Sequence, residues 1–94
     1  MEAIVDLTLE PSDRRFVLPA SGTRSLLFRF GDMAFGGTLT STGDEDFKPG
    51  GTYVGATLGF WHGDDSTIAV GARFVVWYDG DVGQGVVTSM PRHA

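Results

Sequence analysis

The sequence predicts an all-β fold, with six or seven short strands closed into one barrel. Three observations carry this. Apolar residues alternate with polar ones at strand period along several stretches, and none recurs convincingly at helical spacing. Glycine is abundant, with 14 residues among 94, and β-branched and aromatic residues are common, a mixture suited to short strands joined by tight turns. The stretch from Gly71 to Ser89 reads as a complete hairpin. Phe74, Val76 and Tyr78 alternate with Arg73, Val75 and Trp77, Asp79-Gly80 supplies the turn, and Val82 to Thr88 returns. In so short a chain, closure leaves no strand edge unpaired.

The elements follow in order. Ala3, Val5, Leu7 and Leu9 share one face of a first strand, and Ile4, Asp6 and Thr8 the other. Glu10-Pro11-Ser12-Asp13 stops it, because proline cannot donate to a ladder and Asp and Ser favour turns. Arg14-Arg15 form a basic pair beside that turn, and Phe16-Val17-Leu18 is a short apolar segment. A second strand runs from Thr23 to Phe30, with Leu26, Phe28 and Phe30 on one side and Ser25, Leu27 and Arg29 on the other. Gly31-Asp32 turns the chain into a third strand, Met33 to Thr40, where Gly36-Gly37 marks an expected bulge or bend. Ser41 to Gly51 is the most polar segment and the longest expected loop. Tyr53 to Trp61 is the next strand. Counted straight through, Val54, Ala56, Leu58 and Phe60 face inward, and Tyr53, Gly55, Thr57, Gly59 and Trp61 outward. His62 to Ser66 is a second polar loop, Thr67 to Val70 a short strand or crossover, and the closing hairpin follows. Gly83 and Gly85 stand where a Cβ would crowd a close backbone or a sharp bend. Residues 1–90 are read as a single domain and residues 91–94 as a short C-terminal tail.

Composition bounds the function. The absence of cysteine excludes a disulfide framework and a thiolate zinc site. A formal net charge of −5 argues against avid nucleic-acid binding, which draws on phosphate neutralisation, and suits a basic or neutral partner. No apolar run reaches membrane-spanning length, and the acidic start MEAIVDLTLEP lacks the basic and apolar regions of a signal peptide. The expected location is cytoplasmic.

An ordered set of short motifs adds to this. Lys48-Pro49-Gly50 opens a long strand, and Asp64-Asp65 lies in an acidic loop. Ala72-Arg73-Phe74, Asp79-Gly80 and Val82-Gly83-Gln84-Gly85-Val86-Val87 then follow, with Glu2-Ala3-Ile4-Val5 and Leu26-Leu27-Phe28-Arg29 in the first half. Together these resemble the C-terminal barrel, domain III, of elongation factor Tu, from Glu2 to Met90. The resemblance implies a six-stranded antiparallel Greek-key barrel. Domain III in that family helps hold aminoacyl-tRNA and meets the exchange factor and the GTPase domain. Here the phosphate loop G-x-x-x-x-G-K-[ST] is missing, which excludes GTP hydrolysis by the family's mechanism. Arg14-Arg15-Phe16-Val17-Leu18-Pro19 replaces the family's basic-aromatic segment and leaves two arginines for similar work. Asp79 and Asp81 stand where the family tends to be basic, and Trp77 is a large aromatic where it also tends to be basic. The resemblance therefore carries fold further than function.

The candidate chemistry is sparse. His62, Asp64 and Asp65 form the one cluster able to converge on a metal, but the second histidine, His93, lies in the tail and no third nitrogen ligand is evident; a solvated turn is the plainer reading. Asp44-Glu45-Asp46 lacks the alternating ligands and distal Glu of a calcium loop. No serine sits in a nucleophile elbow. Arg14, Arg15 and Arg24, with Arg29, could contact RNA phosphates, against the plainer reading of surface charges balancing acidic neighbours. An unpaired Arg73 is costly inside a small barrel, so Arg73, Val75 and Trp77 are expected outside. If the strand before it lies close by, Tyr53, Trp61, Val75 and Trp77 make one outer aromatic patch, a type of surface enriched at interfaces.

These readings favour a non-catalytic, stand-alone barrel that binds a protein partner or itself as a homodimer, with no cofactor, no nucleotide and no membrane. The alternative is an RNA-binding (tRNA) accessory using Arg14, Arg15 and Arg24. A third reading is a small metal-dependent enzyme at His62, Asp64 and Asp65.

Overall fold

In the computed structural model, which describes residues 2–11, 23–41, 46–62, 67–78 and 80–90, the described residues form strands and turns and no helix. The strands are β1 (Glu2–Leu9), β2 (Thr23–Phe30), β3 (Met33–Thr40), β4 (Thr52–Phe60), β5 (Arg73–Trp77) and β6 (Asp81–Ser89). They close into an antiparallel barrel in the cyclic order β1-β4-β3-β2-β5-β6. β2, β3 and β4 are successive neighbours and β1 returns beside β4, which is the Greek-key arrangement.

The alternating pattern fills the interior. Ala3, Val5, Leu7 and Leu9 of β1, Leu26, Phe28 and Phe30 of β2, and Phe74 and Val76 of β5 are buried together. Phe28 meets Phe60 and Phe74 edge-on at 6.0 and 5.9 Å between centroids, and Phe30 meets Phe35 at 5.9 Å, so the rings interlock across strands. The loops before and after β4 lie at opposite ends of the barrel, since β4 runs from one end to the other. One buries Phe47 and the other Ile68, and both side chains join the core. Phe47 was hidden in the polar composition of its segment. Thr67 to Val70 forms no strand; it crosses to β5 in a turn closed by Ala72 N–H donating to Ala69 O at 2.9 Å.

Two local expectations are corrected. Val5 pairs with Ala56 but Leu7 pairs with Tyr53, so β4 carries one extra residue opposite Asp6. This is a β-bulge built on Gly55, at φ 75°, whose N–H donates to Asp6 Oδ1 at 3.0 Å. The extra residue reverses the alternation on its N-terminal side. Val54, expected inside, is 75% exposed, and Tyr53, expected outside, packs against the core. Tyr53 meets Phe47 at 4.8 Å and its hydroxyl accepts from Lys48 N–H at 2.7 Å. Gly36-Gly37, expected to mark a bulge or bend, carries no register slip: Leu26, Leu27, Phe28 and Arg29 pair in step with Gly37, Gly36, Phe35 and Ala34, and the slip in this hairpin falls between Thr23 and Leu26. Gly37 is needed for close approach, since a Cβ there would lie 2.6 Å from Gly59 O.

Candidate interaction surface

Outward-facing side chains on a closed barrel form rows across neighbouring strands, because residues paired in register stand side by side. Gly37 pairs with Phe60, and the next residue, Trp61, donates its N–H to Gly36 O at 3.1 Å, so Trp61 stands beside Gly36. Gly36 pairs with Leu27 on β2, and Leu27 pairs with Trp77 on β5. One outer row therefore reads Trp61, Gly36, Leu27, Trp77. Its ends stand three strand spacings apart, about 14 Å. Trp61 folds over the bare backbone of Gly36, where a Cβ would lie 2.7 Å from its Cε3. The ring so covers the place of the missing side chain and extends the apolar surface toward Leu27. Trp61 is 57% exposed, Leu27 39% and Trp77 38%.

The row differs from the expected patch. β4 and β5 stand on opposite sides of the barrel, with β3 and β2 on one path between them and β1 and β6 on the other. Tyr53, Trp61, Val75 and Trp77 therefore do not come together as one surface through neighbouring strands. Trp61 and Trp77 still share a row, brought together by β3 and β2, while the bulge takes Tyr53 away. Val75 is half-buried in the adjacent row, opposite Arg29. Leu27 is the member that strand phase placed outside without linking it to either tryptophan. Its link to Trp77 is long-range, and a single strand carries no record of it.

The row has a polar border. Arg29 reaches across β5 to Asp81, with Nη1 3.3 Å from Oδ1 and Nη2 3.2 Å from Oδ2. This two-pronged pair is largely solvent-exposed, so it orients the guanidinium more than it stabilises the fold.

No protein-family model matches the chain, and no curated protein is significantly similar to it.

The other candidates divide by position. His62 is exposed, while Asp64 and Asp65 lie outside the described residues. Among the described residues, no three His, Asp or Glu side chains come together as metal ligands. Arg14 and Arg15 also lie outside the described residues. Arg24 is in β2, and its side chain is not among those described. No helix among the described residues is long and apolar enough to cross a membrane.

Proposed function

We propose that this chain is a non-catalytic barrel module of the elongation factor Tu domain III type, and that it binds a protein partner through the outer row Trp61, Leu27 and Trp77. The observation that carries the reading is the row itself. Three large apolar side chains, two of them tryptophan, lie in one line on the outside of a barrel whose inside is filled by its own core. A rigid, closed barrel presents such a row with little conformational cost on binding. Tryptophan dominates the energetics of interface centres. The domain III reading is supported by the ordered motifs and agrees with the Greek-key order of the strands.

The test is Trp77→Arg, alone and with Trp61→Arg. Both side chains point outward, so both variants are expected to fold, with far-ultraviolet circular dichroism like that of the parent. Proteins captured from an extract of the source cells are compared by mass spectrometry, and light scattering gives the mass of each protein alone. The expected result is a specific partner held by the parent and lost by the double variant. Folded variants with an unchanged set of partners would refute the row. A parent that is dimeric and a variant that is monomeric would replace the outside partner with a second copy.

A further inference from the structure

Beside the apolar row lies a cleft of about 480 Å³. Its floor is the outer face of β6, where Gln84 and Val86 point outward. Arg29 and Arg73 form one wall, and Asp6 and Thr8 part of the other. Register explains the arrangement. Arg73, Val86 and Asp6 are successive neighbours across β5, β6 and β1, and Arg29, Val75, Gln84 and Thr8 make the next row.

Most of the polar groups in this cleft already have work. Arg29 is held by Asp81, Asp6 Oδ1 accepts from the bulge at Gly55, and Thr8 Oγ1 lies 3.3 Å from Thr52 Oγ1. Arg73 is different. It is exposed, it lines the cleft, and it makes no ion pair with any described residue. It also stands diagonally beside Arg29 across Val75, and Asp81 is already taken by Arg29. In a chain of net charge −5, an uncompensated arginine at a concave site is the feature that asks for an external anion.

We propose that the cleft receives a single carboxylate, the Asp or Glu side chain of an extended segment of the partner, and that Arg73 binds it. This deepens the reading of the apolar row and rests on it. The cleft and the row meet on the outer face of β5, where Val75 belongs to one and Trp77 to the other. A segment lying along β5 can therefore seat an apolar side chain on Trp77 and Leu27 and an acidic one at Arg73. The charge pattern selects a carboxylate over a phosphate: Asp6 lines the cleft and Asp81 already neutralises Arg29, so the remaining field repels a dianion more than a monoanion. Asp6, Thr8 and Gln84 leave acceptors and a donor for the backbone of the same segment.

The probe is a random twelve-residue peptide library displayed on phage and selected separately on the parent, Arg73→Glu and Trp77→Arg proteins. The parent is expected to select peptides with Asp or Glu at a constant spacing from a large apolar residue. Arg73→Glu should keep the apolar residue and lose the acidic one, or exchange it for Lys or Arg. A parent-selected synthetic peptide should bind Arg73→Glu at least roughly tenfold more weakly. Arg73→Lys should fall between, since lysine keeps the charge without the planar fork. If Arg73→Glu binds the same acidic peptide equally well, or the parent shows no acidic preference, the cleft assignment is overturned. The row survives that result if Trp77→Arg abolishes selection. If Trp77→Arg selects the same peptides as the parent, the row itself fails. If no peptide is selected by any of the three proteins, both readings are overturned.

Discussion

Replacing Gly85 by alanine should damage this barrel far more than the same change at Gly59. A Cβ on Gly85 would lie 2.5 Å from Phe74 Cζ, 2.6 Å from Asp6 O and 3.0 Å from Leu7 Cβ. The carbonyl belongs to the ladder that joins β6 to β1, and the ring is held in the core by Phe28 and Phe30. Ordinary contact requires β6 and β1 to separate by roughly 0.8 Å, which strains the hydrogen bonds between them. Overpacking of this kind costs about 1–3 kcal/mol. Weakening of a ladder bond adds around 1 kcal/mol. The expected total is near the upper end, about 3 kcal/mol, a large share of the stability of a domain this size. That corresponds to a melting midpoint lower by roughly 12–24 °C. At Gly59 a Cβ meets nothing nearer than Thr38 O at 3.9 Å, and the backbone is not in the left-handed region. Gly59→Ala should stabilise by about 0.4–1 kcal/mol, through the unfolded chain. Thermal and urea unfolding followed by circular dichroism measures both. A Gly85→Ala protein melting within about 3 °C of the parent, or a Gly59→Ala protein equally destabilised, would refute the close-packed ladder.

Two further predictions concern the local features that re-aim β4. Asp6→Ala removes the acceptor of the Gly55 N–H and should cost about 1–2 kcal/mol in urea unfolding, with Asp6→Asn recovering part of the loss. Tyr53→Phe removes the acceptor of the Lys48 N–H and should cost about 1 kcal/mol, with the Phe47 packing retained and near-ultraviolet dichroism little changed.

The alternation of the sequence by itself determined the fold class and most of which residues face in, and Gly31-Asp32 marked its turn; Asp79 of the expected Asp79-Gly80 turn lies outside the described residues. Strand period is a local property: burying one face of each strand needs only the order of side chains along it. That is why Phe28, Phe74, Val76 and Leu58 were legible as core and Arg73, Leu27 and Trp77 as surface. Gly83 and Gly85 were legible as close-approach positions for the same reason, as strand residues with no side chain to pack. Tertiary structure decided what local order cannot encode. It placed β4 and β5 across the barrel from each other, because closure makes neighbours of β4 with β1 and β3, and of β5 with β2 and β6. It put Gly55 into the left-handed region opposite Asp6, and the single extra residue exchanged the faces of Val54 and Tyr53. It drew Phe47 out of a polar segment to close one end of the core. And it joined Trp61 to Trp77 through Gly36 and Leu27: β2 and β3 form a hairpin, but the pairing of β3 with β4 and of β2 with β5 depends on register between strands farther apart in the chain, where one shifted residue moves every side chain to the opposite face.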